Sequence, residues 1–239
     1  MKKKIQLFCL PYAGGSSLVF KDWKNHFSPR IEIIPIELAG RGKRIHENGY
    51  SDIDEAVDDV FRFLKNNVTT PHYALFGHSL GAFIAYFVCQ KIIDTKFQLP
   101  VHVFFSGKGA ITAGKASGRK VHLLDNEDFI EEILSLGGTP PEFFEHPELL
   151  ELFLPVLRND FRIAESEVEH LKIQPLDIDI SAFFGTNEDL TNIQKNNWKL
   201  HTTKSCSLHY FEGGHFFIND QIKAVTKQIG KELNSFDTF

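Results

Sequence analysis

Short apolar runs along the chain alternate with longer stretches in which apolar residues recur every three or four positions. The runs at 5–10, 73–76 and 101–105 are nearly continuous, and glycine or proline follows each within two residues. Such runs are typical of strands buried on both faces of a parallel sheet. Helical spacing follows at 53–64 and again at 82–93. The alternation predicts an α/β fold with a mostly parallel central sheet flanked by helices.

Three further strands are predicted at 31–38, 178–185 and 205–211. Because Pro35 has no N–H for the ladder, the first of these should end there or lie near a sheet edge. The strict alternation within 205–211 predicts a last strand near the other edge. Helical spacing predicts two more helices: one at Phe20, Trp23 and Phe27, and one from about Asp220.

The alternation stops between about residues 108 and 175, where helical stripes continue and no strand is evident. Stripes at 130–134 and 149–157 are separated by the breaker Leu136-Gly137-Gly138-Thr139-Pro140-Pro141. A structureless loop of this length is uncommon inside a compact domain. We therefore expect a helical lid at about 108–175, inserted into a single domain that spans 1–239.

Composition narrows the range of partners. A formal charge of −5, with 24% charged residues, offers no basic footprint for nucleic acid. The N-terminal apolar run is too short for a signal peptide or a membrane span. The cysteines Cys9, Cys89 and Cys206 are far apart and fit reduced core residues better than disulfides or zinc ligands. We expect a cytoplasmic protein, monomeric by default, with no metal, nucleic-acid partner or membrane segment.

The stretch Gly77-His78-Ser79-Leu80-Gly81 lies between a predicted strand and a predicted helix. In a G-x-S-x-G elbow the serine occupies a strained turn, and the glycines allow strand and helix backbones to pass closely. The unpaired N–H groups of the helix start lie beside any oxyanion formed there. The pattern predicts Ser79 as a nucleophile; the alternative is a glycine-rich turn with a solvated serine.

The turn after the first strand, residues 11–17, contains Gly14 and Gly15. Backbone amides near Tyr12 and Ala13 could face a site above the strand end, where a second oxyanion donor belongs. A plain strand-to-helix turn explains the glycines equally well.

A second glycine-rich loop, Ala39-Gly40-Arg41-Gly42-Lys43-Arg44, follows the second strand. It lacks the G-x-x-x-x-G-K-[ST] order of a phosphate-binding loop. A solvated loop is therefore favoured over an anion site.

Ser79, Asp189 and His215 each follow a predicted strand directly. The carboxyl ends of parallel strands share one sheet edge, so these three side chains should meet there. Their order, nucleophile, acid, histidine, is that of an α/β-hydrolase triad, in which the histidine accepts the serine proton and the carboxylate orients the imidazole. By contrast, His78 is expected to orient or pack, and His209 lies within a strand.

With these motifs the sequence resembles the type II thioesterases that accompany nonribosomal peptide and polyketide synthases, within the α/β-hydrolase superfamily. The resemblance covers nearly the whole chain. Its motifs are Pro11-Tyr12-Ala13-Gly14-Gly15, Gly40-Arg41-Gly42 with Arg44 and Glu47, Gly77-His78-Ser79-Leu80-Gly81, Leu136-Gly137-Gly138-Thr139-Pro140, Leu154-Pro155 through Arg158-Asn159-Asp160-Phe161, and Gly213-Gly214-His215.

The resemblance implies a stand-alone enzyme that hydrolyses acyl groups from the phosphopantetheine arm of acyl or peptidyl carrier proteins. It implies no cofactor, because the partner carries the arm. It gives Ser79 the role of nucleophile, His215 that of base, and the backbone amides of Ala13 and Leu80 that of oxyanion hole. Within the expected lid, Phe143 and Phe144 are candidates for the acyl pocket.

The sequence departs from the family at the triad acid. The family has a G-x-x-D loop, and counting from Gly185 places Glu188 at the aspartate position, as does counting back from Trp198. Aspartate is nevertheless the residue type that the family uses, and a loop shifts easily by one residue. We expect Asp189 to be the acid, with Glu188 as the alternative.

A carboxylesterase or lipase-like hydrolase of free esters or acyl-CoA uses the same triad and is the alternative function. A binding module that has lost catalysis would need a broken triad, which this sequence does not show. The preferred acyl chain and the synthase served do not follow from the sequence.

Overall fold

The computed structural model describes residues 4–112, 120–138, 146–168 and 174–235. Within these ranges six strands form one sheet in the order β2-β1-β3-β4-β5-β6. Every neighbouring pair is parallel, which confirms the predicted sheet. The strands are β1 (Ile5–Leu10), β2 (Ile31–Pro35), β3 (Tyr73–His78), β4 (His102–Ser106), β5 (Ile180–Gly185) and β6 (Cys206–Phe211).

Helices connect these strands, and most lie where apolar spacing predicts them. They are α1 (Ile53–Asn67), α2 (Leu80–Asp94), α3 (Asn126–Leu136), α4 (Pro147–Ala164), α5 (Asn192–Asn196), α6 (Phe217–Asp220) and α7 (Ile222–Ser235). The helix predicted around Phe20 and Trp23 is wrong: two 3₁₀ turns, Ser17–Phe20 and Trp23–His26, occupy this segment. The step of three residues from Phe20 to Trp23 also matches the period of a 3₁₀ helix, so this step does not distinguish the two kinds of helix.

Both faces of the sheet are covered, and the side chains of β1 show how. Phe8 and Leu10 pack in the cluster that includes α1 and α2. Ile5, Leu7 and Cys9 pack in the opposite cluster, with the 3₁₀ turns and α7. All six residues of β1 are buried, as the continuous apolar run predicts.

The sheet edges also agree with the sequence. β2 is an edge strand and ends at Pro35, where the ladder loses a donor. β6 is the other edge. These edges leave β3 and β4, whose loops carry much of the site, in the middle of the sheet.

Between β4 and β5 the described residues contain α3 and α4 and no strand. These helices correspond to the two predicted stripes. Arg158 of α4 donates to the carbonyls of His122 and Leu124 at 2.8 and 2.6 Å, and its guanidinium lies over the Phe129 ring of α3. The proposed acyl-pocket residues Phe143 and Phe144 lie outside the described residues.

In the described ranges, no helix is both long enough and apolar enough to cross a membrane.

One titratable group in the sheet gives a testable pH dependence. His102 of β4 is buried, with Nε2 2.8 Å from the Ser181 hydroxyl of β5. Burial lowers its pKa from 6.5 to about 4. The unfolded chain therefore binds a proton that the folded chain does not, and stability present above pH 6.5 is lost as the pH falls toward 4.

As the pH is lowered from 7.5 to 5, we expect protonation of His102 in the unfolded chain to lower the free energy of unfolding by about 2 kcal/mol. Urea unfolding across that range should show a shallower pH dependence in His102→Gln. His26→Gln, at an exposed histidine, should leave the slope unchanged. Equal slopes in His102→Gln and the wild type would contradict the assignment.

Candidate active site

The elbow between β3 and α2 has the strained geometry that its sequence predicts. Ser79 has φ 54° and ψ −112°, a conformation rarely adopted by residues other than glycine. Its N–H donates to the Ser106 carbonyl of β4 at 2.8 Å. The hydrogen bond to the neighbouring strand thus stabilises the strained conformation. Ser79 lies at the N-terminal end of α2.

Glycine is required on both sides of Ser79. A Cβ on Gly77 would collide with the backbone of Gly81, and one on Gly81 would collide with the carbonyl oxygens of Leu10 and Pro11. The close crossing of α2 over the end of β1 therefore depends on these residues.

We expect Gly81→Ala to lower the unfolding free energy by about 2–3 kcal/mol, because backbone atoms must move to admit the methyl group. Gly230→Ala is the matched control: Gly230 also lies in a helix, α7, and nothing lies within 4 Å of an added Cβ. That variant should gain up to about 1 kcal/mol. Chemical denaturation of both variants tests this, and equal stability of the two would contradict the packing argument.

The turn after β1 brings a second set of backbone amides to the elbow. The Gly15 N–H donates to the Tyr12 carbonyl at 2.9 Å, which closes the turn around Ala13. Tyr12 and Ala13 line the same cavity as Ser79. Leu80, in the first turn of α2, has an N–H without an intrahelical partner. The two proposed oxyanion donors thus belong to segments that meet at Ser79.

The carboxylate beside His215 belongs to Glu188. Its Oε1 lies 2.6 Å from His215 Nδ1, and its Oε2 accepts the Gly185 N–H at 3.1 Å. The Glu188 side chain is 5% exposed, whereas Asp189 is exposed. The expected pairing of Asp189 with His215 is therefore wrong, and the alternative, Glu188, takes that place.

The physical reason lies in the register of two loops. β5 and β6 pair with Gly185 opposite Phe211. Beyond the sheet, the Thr186 N–H donates to the Phe211 carbonyl at 2.8 Å and the Asn187 N–H to Gly213 at 2.9 Å. These bonds leave no room for a one-residue shift, so the third residue after Gly185 turns back onto His215.

His78, inside the elbow, packs against the candidate base, as expected for an orienting residue. Its ring lies 5.1 Å from that of His215, and its Nδ1 is 2.9 Å from the Ser106 hydroxyl. Burial lowers the pKa of His78 well below its usual range, and His215 lowers it further. Burial therefore favours the neutral form of His78. Gly107 gives it room, since a Cβ there would lie 2.5 Å from the ring.

The elbow serine and the histidine–carboxylate pair line a cavity of about 590 Å³. Ser79, Glu188 and His215 lie in its wall together with residues of α3 and α4, including Ile133, Leu157 and Phe161. Such a volume is typical of small-molecule sites. The cavity can therefore hold an acyl group next to the serine.

Lys108 also lines this cavity, and no sequence motif pointed to it. Its Nζ lies 5.0 Å from the centre of the Phe83 ring. Burial lowers the pKa of Lys108, an effect that Glu165 partly opposes. A cation–π contact thus stabilises an ammonium group inside an otherwise mainly apolar wall.

The loop Gly40–Arg44, expected to be solvated, is instead built into the fold. Arg41 is buried and paired with Asp160 of α4. Arg44 pairs with Glu47 and with Asp59 of α1. Because Arg41 and Arg44 are paired with carboxylates of the chain, they are not free to bind an anion, whereas Gly42 and Lys43 are exposed, as expected for a solvated loop.

Among the described residues, no group of three or more His, Cys, Asp or Glu side chains is arranged to hold a metal ion.

The parallel sheet, the serine at a sharp strand-to-helix turn and the histidine–carboxylate pair beyond β5 and β6 define an α/β-hydrolase fold. A family model described as "Thioesterase domain" matches residues 5–233. The chain belongs to this thioesterase family and is a hydrolase of thioester bonds.

Related proteins support the same family assignment. The gramicidin S biosynthesis protein GrsT of Aneurinibacillus migulanus is 32% identical over 231 residues, 96% of this chain and 89% of GrsT. The structure of ClbQ from the colibactin NRPS/PKS pathway has a TM-score of 0.90 at 33% identity and covers 98% of each chain. The RedJ thioesterase of the prodiginine pathway in Streptomyces coelicolor has a TM-score of 0.87 at 30% identity, covering 96% of this chain and 86% of RedJ.

Proposed function

We propose that this protein is a type II thioesterase that hydrolyses acyl groups from the phosphopantetheine arm of carrier proteins in nonribosomal peptide or polyketide synthesis. The observation that carries the proposal is the contact of His215 with Glu188 in the wall of the cavity that Ser79 also lines. The names of GrsT and ClbQ place those relatives in gramicidin S synthesis and in an NRPS/PKS pathway. They support the choice of substrate class.

In the proposed reaction, His215 Nε2 accepts the Ser79 hydroxyl proton while Oγ attacks the thioester carbonyl carbon. The N–H groups of Ala13 and Leu80 stabilise the oxyanion. Glu188 accepts a hydrogen bond from Nδ1–H, which keeps Nε2 free as the acceptor and stabilises the imidazolium. The imidazolium protonates the departing pantetheine thiolate. Water, deprotonated by His215, then hydrolyses the acyl-enzyme.

The enzyme as proposed needs no cofactor of its own, because the phosphopantetheine arm belongs to the carrier protein. We also propose that residues 108–175 act as a lid within a single domain. Its described helices supply cavity residues such as Ile133 and Leu157, so the arm and its acyl group must pass beside them. Gly137, with φ 78°, ends α3 next to the cavity and offers a position for a hinge.

The test compares one acyl group on three leaving groups: a phosphopantetheinylated carrier protein, coenzyme A and p-nitrophenol. We expect kcat/KM for the carrier protein to exceed that for acyl-CoA by about tenfold or more, because remote contacts with the carrier contribute binding energy. A higher kcat/KM for the p-nitrophenyl ester than for both thioesters would favour an esterase. Equal values for carrier protein and coenzyme A would remove the carrier from the proposal.

A further inference from the structure

Arg41 and Asp160 form a buried ion pair to which the proposed reaction assigns no role. They are 3% and 1% exposed. Nη1 of Arg41 donates to Oδ2 of Asp160 at 2.5 Å, and Nη2 donates to Oδ1 at 2.7 Å. Two parallel bonds of this kind fix the relative orientation of both groups. Because burying two charges is costly, a contribution to the stability of the fold does not by itself explain this ion pair.

The same pair forms hydrogen bonds with the backbone of the turn that contains Ala13. Asp160 Oδ2 accepts the Gly14 N–H at 2.7 Å, and Arg41 Nη1 donates to the Gly15 carbonyl at 3.4 Å. These are the two residues that follow Ala13 directly. With the Gly15–Tyr12 backbone bond, the contacts hold the turn on both sides of the Ala13 amide.

The Arg41 side chain is also fixed by its own loop, because its Nε and Nη2 both donate to the Ala39 carbonyl at 3.2 Å. The loop after β2 therefore supports the guanidinium, the guanidinium supports Asp160, and both support the turn. Asp160 lies on α4, and Leu157, one turn earlier, lies close enough to Gly14 that an added Cβ would be 2.5 Å from Leu157 Cδ1. The position of α4 and the conformation of the turn therefore depend on each other.

We propose that the Arg41–Asp160 pair is a positioning device for the oxyanion hole. It sets the direction of the Ala13 N–H and makes oxyanion stabilisation depend on the seating of α4. The inference rests on the proposed roles of Ser79 and Ala13. It predicts that breaking the pair weakens stabilisation of the transition state. If the pair only attached α4 to the fold, breaking it would lower the folding stability alone.

The test uses Asp160→Asn, which keeps the size of the side chain but cannot accept from Gly14 and both guanidinium nitrogens as the carboxylate does. Removing an oxyanion donor outright costs about 10²- to 10³-fold in kcat. For a misdirected donor we expect a fall of about 10- to 100-fold in kcat, with KM changed less than about threefold. The inhibition constant of a trifluoromethyl ketone analogue, which forms a tetrahedral adduct with the serine, should rise in parallel with the loss in kcat/KM.

Arg41→Lys is the second variant, in case Asp160→Asn does not fold. It keeps the charge and loses the paired N–H groups, so it should show the same kinetic pattern. Asp59→Asn is the matched control. It breaks the neighbouring Arg44–Asp59 pair at 2.6 Å, which ties the same loop to α1 without contacting Gly14 or Gly15. It should lower the melting temperature and leave kcat and the inhibition constant unchanged.

The inference is overturned if each of Asp160→Asn and Arg41→Lys that circular dichroism confirms as folded loses only melting temperature, as the control does. It is supported if the inhibitor constant and kcat change together in either variant and not in Asp59→Asn. Failure of the proposed function is distinguishable, because Ser79→Ala would then retain turnover.

Discussion

Replacing Ser79 with alanine is expected to reduce acyl-thioester turnover by roughly four to six orders of magnitude, because the attacking atom is lost. The fold should be retained, since the strained backbone at position 79 is held by the N–H bond to the Ser106 carbonyl and by the neighbouring glycines. Steady-state hydrolysis of acyl-carrier protein measures the effect. Labelling by a fluorophosphonate should be stoichiometric in the wild type and absent in Ser79→Ala.

Ser135→Ala provides the control for this experiment. Ser135 borders the same cavity, but its hydroxyl donates to the Glu132 carbonyl of its own helix at 2.8 Å. We expect activity and labelling to match the wild type. Retained turnover in Ser79→Ala would show that another group attacks the thioester, and the acyl-enzyme route would be abandoned.

The second large effect is expected at Glu188, the proposed triad acid: Glu188→Gln should lower kcat by about 10²- to 10⁴-fold. A glutamine amide facing His215 can donate to Nδ1, which places the ring proton on Nε2 and removes the acceptor for the serine proton. The substitution preserves shape and can still accept the Gly185 N–H. We therefore expect a loss in kcat with little loss in stability.

Asp189→Asn is the matched comparison, one residue further along the same loop. Because Asp189 is exposed and Glu188 occupies the place beside His215, turnover should stay within about threefold of the wild type. The kinetics of the two variants, measured side by side with one acyl-carrier substrate, separate the two carboxylates. A crippled Asp189→Asn with an active Glu188→Gln would restore the assignment first drawn from the sequence.

Most of the fold followed from local patterns. Continuous apolar runs predicted the buried strands, the stripe of α1 predicted an amphipathic helix, and Pro35 predicted the end of an edge strand. These features are readable because each depends on residues close together in the chain. The segment at Phe20 and Trp23 was read incorrectly because a spacing of three residues suits both kinds of helix.

Within the site, the sequence by itself determined what local backbone geometry requires. The glycines around Ser79 predicted the elbow, and the positions of Ser79 and His215 after strands placed both at one sheet edge. Two decisions belonged to the tertiary structure alone. Hydrogen bonds between the loops after β5 and β6 selected Glu188 over Asp189. The pairing of Arg41 with Asp160 joined two motifs that are 119 residues apart. Both depend on contacts between distant segments, whose distances no local pattern encodes, so only the packed sheet could decide them.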